Sequence, residues 1–235
     1  MSVVVVKVGG AVAASSAAVV LELAAENRVC VVHGAGPQIS AEMERAGIPV
    51  EFVNGLRVTT PAGLEIVRLS FEAVNTGLCA AIGDRAVPFF GYEVGFEAEP
   101  IENLGRVGEP EPQDVPAVAR VLGAGLIPVF APLAIEPGTG LLNVNADDAA
   151  AALAAGLLAD ELRILTDVDG FIVDGEVLDW IDYNDAVKLL QGGTLKGGIV
   201  PKLRAALTAA ELGVRAFIGR TEIEPVPMSA GVPLG

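Results

Sequence analysis

The stretch VVVVKVGGA, residues 3–11, indicates both the fold and the place of a charged site. Its four consecutive valines are typical of a strand that is covered on both faces, as strands of parallel sheets are. An unpaired ammonium buried in such a strand would cost several kcal/mol. Lys7 therefore either reaches water, or stands where the strand ends and points at an anion.

Strands and helices alternate along the chain, which predicts an α/β protein with a mainly parallel central sheet and helices on both faces. Residues 86–112, rich in Gly, Pro and Glu, are predicted to form short hairpins. The predicted strands cover residues 3–8, 28–32, 126–132, 161–170 and 214–219. The predicted helices cover residues 12–25, 38–46, 61–83, 113–123, 146–158, 184–190 and 200–212.

Composition and charge argue against several classes of partner. With 235 residues and 52% hydrophobic content, the chain is able to bury a sizeable core, as one large α/β domain or as two intimate lobes. A formal charge of −15 and a pI near 4.4 argue against nucleic acid or an anionic membrane as the main partner. An anionic ligand would therefore need a local positive pocket in an acidic protein.

Cysteine usage and the N-terminus predict a cytoplasmic protein. Cys30 and Cys79 lie in apolar surroundings without a CxxC pattern, as expected of reduced thiols. The N-terminus lacks the basic region of a signal peptide. No apolar run approaches the ~18 residues of a membrane span.

Two strand-to-helix turns, KVGGA (7–11) and HGAGP (33–37), contain small residues. Backbone N–H groups in such turns, next to a helix N-terminus, favour anions. Neither turn matches GxxxxGK[ST] or GxGxxG, which disfavours a P-loop or Rossmann nucleotide site. His33 either caps or packs within its turn, or takes part in function, and the residues alone leave both open.

Three further segments carry polar residues with two possible roles each. Arg57 in NGLRVTT (54–60) is either a surface charge or a bidentate partner for a ligand carboxylate. In LLNVNADDAAAALAAGL (141–157), Asp147 or Asp148 either caps a helix, or Asp147 orients lysines while Asn143 contacts a ligand. The glycines of GGTLKGGIVPKLRAAL (192–207) either form an ordinary loop or allow phosphates to approach the backbone.

These motifs together resemble the amino-acid kinase family, and within it the members that phosphorylate the γ-carboxylate of N-acetyl-L-glutamate. The motifs are KVGGA, HGAGP, NGLRVT, LLNVNADDAA, LTDVDG, GGIVPK and the closing GVPLG. The resemblance implies an open three-layer αβα sandwich built on one continuous sheet. It also implies an N-lobe over residues 1–156 that binds the acyl acceptor, and a C-lobe over residues 157–235 that binds ATP.

The resemblance further implies a role for individual residues. Lys7 and Lys202 would contact the phosphoryl group in transfer, and Asp147 would hold both lysines in place. The γ-carboxylate is itself the nucleophile, so no general base is needed, and Mg²⁺ is expected to bind mainly through the phosphates of ATP. The residues expected at the acceptor are Gly9, Gly10, Gly34, Ala35, Gly36, Arg57 and Asn143. The residues expected at ATP are Thr166, Asp167, Val168, Asp169, Gly170, Phe171, Ile172, Thr194, Leu195 and Lys196.

The sequence departs from the family pattern in three places. The family usually has three glycines after the histidine, and Ala35 replaces the middle one; its N–H still donates if its φ is negative, whereas alanine is strained if φ is positive. Only six residues precede Lys7, too few for the N-terminal helix of hexameric, arginine-inhibited relatives, so we expect a homodimer that arginine does not inhibit. The compact, acidic segment 86–112 leaves the lid over the acceptor undefined.

Other functions remain open at this point. A kinase acting on a terminal glutamate or aminoadipate of a small carrier protein fits KVGGA equally well. The motif NGLRVT and the acidic surface argue against it, because an acidic carrier needs a basic docking face. Aspartate, carbamate and uridylate kinases fit NGLRVT and NVNAD less well. A non-catalytic amino-acid sensor of the same fold would not need Lys7, Asp147 and Lys202 together.

Overall fold

A computed structural model describes residues 1–10, 16–138, 140–166, 169–173, 175–195 and 197–224. Within these ranges, eight strands form a central sheet in which all neighbours are parallel except one antiparallel pair, Arg215–Ile218 with Thr221–Ile223. The spatial order of the strands is β14 (Trp180–Ile181), β16 (Thr221–Ile223), β15 (Arg215–Ile218), β11 (Glu161–Ile164), β1 (Val3–Val8), β2 (Arg28–His33), β8 (Ile127–Ala131) and β5 (Ala86–Phe90).

Eight further strands of the described residues form smaller sheets. Four of them pair in the order β6 (Glu99–Pro100), β7 (Val107–Glu109), β10 (Gly140–Val144) and β9 (Leu133–Glu136). The other four form two hairpins, β3 (Phe52–Val53) with β4 (Leu56–Arg57), and β12 (Ile172–Val173) with β13 (Glu176–Val177).

Helices cover both faces of the central sheet, and each face has its own apolar core. One face packs against α1 (Ala17–Glu26), α2 (Gly36–Arg45) and α3 (Pro61–Ile82). The other packs against α4 (Pro116–Gly123), α5 (Ala146–Gly156), α6 (Tyr183–Gln191) and α7 (Ile199–Glu211). The predicted three-layer αβα sandwich with a mainly parallel open sheet is therefore confirmed.

Alternation along β1 decides where Lys7 points. Val4, Val6 and Val8 belong to the core beneath α1, α2 and α3, whereas Val5 belongs to the core on the α5 side. Successive side chains of a strand point to opposite faces. Lys7 therefore shares the face of Val5 and points toward α5.

The observed elements differ from the predicted ones mainly at their ends. The predicted strand 161–170 stops at Ile164, where turn-forming polar residues follow. Within the predicted hairpin region 86–112, Ala86–Phe90 is instead the edge strand of the central sheet. Its Pro88 is tolerated because an edge strand has no partner on its outer side. The beginning of the predicted helix 12–25 and the closing GVPLG lie outside the described residues.

No helix within the described ranges combines the length and the apolar character that crossing a membrane would require.

Candidate active site

A buried ion pair joins the end of β1 to the beginning of α5. Lys7 Nζ lies 2.9 Å from Asp147 Oδ1, and the two side chains are only 7% and 6% exposed. An ammonium in this position is stable because a carboxylate on the facing helix neutralises it. The pair resolves the alternative raised by residues 3–11: Lys7 stands near the end of its strand and faces an anion.

A second lysine approaches the same carboxylate from α7. Lys202 Nζ lies 4.0 Å from Asp147 Oδ2 and donates a hydrogen bond of 3.3 Å to the Gly198 carbonyl. Its side chain is 19% exposed, so it is more accessible than that of Lys7. The structure thus brings the predicted Lys7, Asp147 and Lys202 together, with two cations on one anion.

The N-terminus of α5 is capped by Asn145, not by either aspartate. Asn145 Oδ1 accepts hydrogen bonds from the backbone N–H groups of Asp147 and Asp148, at 2.8 and 3.3 Å. Of the two alternatives for this segment, the one in which Asp147 or Asp148 caps the helix is therefore excluded. Because Asn145 satisfies the first amides of the helix, the Asp147 carboxylate is available to the lysines.

Asp148 faces a different environment from its neighbour. It lines a cavity of about 70 Å³ together with Glu109 and Arg204. Burial raises the pKa of Asp148 to about 7, and the positive charge of Arg204 opposes that shift. The two adjacent carboxyl groups of α5 therefore have different electrostatic surroundings.

A cavity of about 250 Å³ opens beside the buried ion pair, at the carboxyl ends of β1 and β2. Ligands of open α/β sheets bind at this end of the strands. All seven residues that the sequence assigned to the acceptor line this cavity, together with Lys7 and Asp147. These seven are Gly9, Gly10, Gly34, Ala35, Gly36, Arg57 and Asn143.

The two small-residue turns pack against each other in the cavity wall. A Cβ at Gly10 would stand 2.8 Å from Gln38 Oε1 and 2.9 Å from both Ala35 Cα and the Gly34 carbonyl oxygen. Ala35 has φ −141°, which any residue adopts without strain. The condition under which alanine is tolerated at this position is therefore met.

Arg57 presents a nearly buried cation to the cavity. It is 7% exposed, and its Nη2 donates to the Gly36 carbonyl at 3.0 Å and to Ser40 Oγ at 2.8 Å. Its guanidinium lies 4.7 Å from the ring centroid of Phe52. Burial lowers the pKa of Arg57 below its usual range. No carboxylate of the described residues pairs with this guanidinium, so an anionic ligand would supply the missing charge.

Asn143 is held in the cavity wall by a residue that sequence reasoning did not single out. Asn143 Nδ2 donates to Thr59 Oγ1 at 3.1 Å, and Thr59 Oγ1 donates to the Arg57 carbonyl at 3.0 Å. Thr59 is fully buried and so connects the two polar residues of the cavity. Ser40 was missed as well. Thr59 lies inside the quoted NGLRVTT, whereas no pattern in the sequence indicated Ser40.

The residues assigned to ATP fall in two segments of the chain, one after β11 and one before α7. Leu165 N–H donates to the Lys7 carbonyl at 2.9 Å, which places Thr166 beside the end of β1. Phe171 is 1% exposed, and its N–H donates to Thr221 Oγ1 at 2.8 Å, so its side chain packs in the core. Leu195 lines a second cleft, of about 670 Å³, between the β3–β4 hairpin and α7.

The structure describes four more of the residues assigned to ATP. Asp169 accepts a backbone hydrogen bond from Arg220 at 2.8 Å, and Gly170 pairs with Gly219 in an isolated bridge. Ile172 is 46% exposed in β12. Thr194 lies in the loop that precedes α7. Asp167, Val168 and Lys196 lie outside the described residues.

An open αβα sandwich with cations and small-residue turns at the carboxyl ends of its strands is the architecture of an α/β enzyme that handles an anionic ligand. Residues 2–220 match the family described as "Amino acid kinase family". The chain belongs to this family.

Curated relatives and solved structures agree with this assignment. The acetylglutamate kinase of Rubrobacter xylanophilus is 41% identical over 225 residues, which cover 93% of this chain and 88% of that protein. The acetylglutamate kinase of Chloroflexus aurantiacus is 39% identical over 193 residues, covering 78% of this chain and 76% of that protein. The crystal structure of smu.665 from Streptococcus mutans UA159 superposes with a TM-score of 0.85 at 26% identity, over 95% of this chain and 99% of that one.

Proposed function

We propose that this chain is an acetylglutamate kinase, which transfers the γ-phosphoryl group of ATP to the γ-carboxylate of N-acetyl-L-glutamate, the second step of arginine biosynthesis. The observation that carries the proposal is a single cavity with cations at two places. The Lys7–Asp147 pair with Lys202 nearby marks one place, and the buried Arg57, which pairs with no carboxylate of the described residues, marks the other. A substrate with two carboxylates suits this arrangement, since one is held while the other reacts.

Arg57 is the residue we assign to the α-carboxylate of the acceptor. Its fork of N–H donors is already oriented by Gly36, Ser40 and the ring of Phe52. The guanidinium would bind a carboxylate through its charge and its remaining N–H groups, because both hydrogens of Nη2 are already donated to Gly36 and Ser40. Asn143, oriented by Thr59, is a second polar contact for the acceptor in the same wall.

Phosphoryl transfer requires positioning and charge stabilisation more than covalent help from the protein. Lys7 and Lys202 would stabilise the negative charge on the transferred group, while Asp147 keeps both ammonium groups in place. Backbone N–H groups of Gly9, Gly10 and Gly36 would add neutral donors. The acceptor carboxylate is ionised at neutral pH and needs no base.

ATP would bind near the carboxyl end of β11, beside the residues from Thr166 to Ile172 and from Thr194 to Lys196. The donor set of the site fits Mg²⁺ bound mainly by phosphates. Within the described part of the chain, no three His, Cys, Asp or Glu side chains are grouped to hold a metal ion. The ion would supply charge neutralisation on the phosphates.

Formation of an acyl phosphate, trapped with hydroxylamine, tests the proposal. Purified protein is incubated with ATP, Mg²⁺ and one of three acceptors: N-acetyl-L-glutamate, glutamate or aspartate. We expect product with N-acetyl-L-glutamate alone. No product with any acceptor, from folded protein that binds ATP, would overturn the proposal in favour of a carrier-protein kinase. The homodimer stays a prediction, which light scattering tests.

A further inference from the structure

Behind the HGAGP turn, Asn75 of α3 and His33 of β2 form a buried polar pair. They are 1% and 0% exposed. Asn75 Nδ2 lies 2.9 Å from the Val129 carbonyl oxygen and 3.0 Å from His33 Nε2. A carbonyl oxygen only accepts, so the amide nitrogen of Asn75 must face it, and its second hydrogen is directed to His33. The Cys79 thiol donates to Asn75 Oδ1 at 3.5 Å, which is consistent with this orientation.

This orientation of Asn75 fixes the tautomer of the imidazole. Since Asn75 donates to Nε2, that nitrogen is the acceptor, and the proton of the neutral ring is on Nδ1. His33 Nδ1 lies 3.4 Å from the Gly34 carbonyl oxygen, a long contact in which Nδ1–H is the donor. Burial lowers the pKa of His33 to about 4, although the contact with Gly34 raises it in part, so the ring is neutral at pH 7.

The Gly34 carbonyl belongs to the peptide that also carries the Ala35 N–H. In a planar trans peptide, the C=O and the N–H point in opposite directions. The Gly34 carbonyl oxygen lies on the side of the peptide that faces His33 and Gly10, so the Ala35 N–H points to the opposite side. Ala35 lines the acceptor cavity and is 1% exposed. No acceptor among the described residues takes its N–H.

We propose that Asn75 and His33 are positioning residues for phosphoryl transfer, which hold the Gly34–Ala35 peptide with its N–H toward the acceptor. Neither side chain lines the cavity among the described residues. Asn75 determines the tautomer of His33, and the protonated Nδ1 of that tautomer orients the Gly34 carbonyl. The orientation of this carbonyl in turn determines where the Ala35 N–H points. The part of this inference that concerns the acceptor rests on the proposed function.

Nitrogen-15 NMR of protein labelled in histidine tests the tautomer directly. His33 is the only histidine of the chain, so its two ring nitrogens are assigned without ambiguity. We expect a protonated Nδ1 and an unprotonated Nε2 at pH 7, with no titration near the ordinary pKa of about 6.5. A proton on Nε2, or titration near pH 6.5, would overturn the proposal.

Asn75→Asp tests the consequence for the acceptor, because this variant keeps the shape of the side chain but loses both N–H donors. We expect that the proton of the His33 ring is no longer confined to Nδ1. We also expect the KM for N-acetyl-L-glutamate to rise roughly 2- to 10-fold, which corresponds to the loss of one hydrogen bond. The KM for ATP should stay the same. An equal rise in both KM values would indicate a merely structural role and contradict the proposal.

Cys79→Ala is the matched control, because it removes a contact of Asn75 on the Oδ1 side alone. We expect the wild-type tautomer and the wild-type KM, and a changed tautomer would count against the assigned orientation of Asn75. The variant His33→Asn, whose amide is able to donate to Gly34, should retain a lower KM than His33→Leu. Failure of the wild-type protein to phosphorylate N-acetyl-L-glutamate would refute the proposed function and leave the NMR result standing.

Discussion

Removing the charge of Asp147 should destabilise the protein far more than removing the charge of an exposed aspartate in a shorter ion pair. Lys7 Nζ is 2.9 Å from one oxygen of Asp147, and Lys202 Nζ is 4.0 Å from the other. At an effective dielectric constant of about 20, these attractions are about 6 and about 4 kcal/mol. Desolvation of the buried ions offsets part of this. We therefore expect Asp147→Asn to lower the free energy of unfolding by roughly 3–5 kcal/mol.

Asp185→Asn is the matched control for this experiment. Asp185 Oδ1 lies only 2.6 Å from Lys188 Nζ, but the two side chains are 61% and 73% exposed, so water and salt screen the pair. Urea denaturation of the two variants and the wild type measures both losses. Equal losses of unfolding free energy in the two variants would refute the argument, because burial of the Lys7–Asp147 pair would then add nothing to its contribution to stability.

A double variant separates the charge that is lost from the charge that is left behind. Asp147→Asn leaves the Lys7 ammonium buried beside a neutral amide. In Lys7→Met/Asp147→Asn, neither member of the buried pair is charged, so the double variant should be more stable than Asp147→Asn alone. If the effects of Lys7→Met and Asp147→Asn simply add, the two side chains are not coupled and the explanation of the buried pair is wrong.

Three other predictions follow from single positions. Arg57→Lys should raise the KM for N-acetyl-L-glutamate roughly 10- to 100-fold in steady-state assays, with kcat nearly unchanged, because lysine lacks the planar guanidinium that Gly36, Ser40 and Phe52 orient; an unchanged KM would contradict the assigned contact. Relative to the wild type, Asp148→Asn should gain up to about 4 kcal/mol in unfolding free energy as pH rises from about 4 to about 7. Over that range the unfolded wild type ionises Asp148 while the folded wild type keeps it protonated, so the wild type loses stability and the variant does not; a gain independent of pH in denaturation series would contradict it. Gly156→Ala should lower the melting temperature, since its Cβ would overlap the Gln113 carbonyl. Gly123→Ala is the control and should leave the melting temperature unchanged, because a Cβ at Gly123 would have no atom within 4 Å. Equal melting temperatures of the two variants would exclude the clash at Gly156.

The alternation of apolar segments was sufficient to predict the fold class, because each segment needs a covered face and short connections restrict the topology. The edge strand Ala86–Phe90 was not predicted. It lies in a region of glycine, proline and glutamate, and a proline disfavours a strand in every position except an edge. Whether a strand lies at an edge is a property of the assembled sheet, which local composition does not contain.

In the candidate site, too, some features could be predicted from the local sequence, whereas others depend on the assembled fold. That Lys7 ends a strand could be predicted from the valines before it and the glycines after it. That Asp147 pairs with it depends on α5 lying against the face of β1 that Val5 and Lys7 share. The roles of Ser40 and Thr59 are visible only after folding, because Ser40 contacts Arg57 from a separate segment of chain and Thr59 accepts from the distant Asn143.

Glycine is required in this site at a position that the motif alone does not distinguish. Gly10 from one small-residue turn and Ala35 and Gly36 from the other all line the cavity. A side chain at Gly10 would meet three atoms within 2.9 Å, whereas one at Gly36 would meet nothing within 4 Å. Ala35 already carries a Cβ at an unstrained φ of −141°. The close approach of the two turns therefore depends on Gly10, and alanine at position 35 adds no backbone strain.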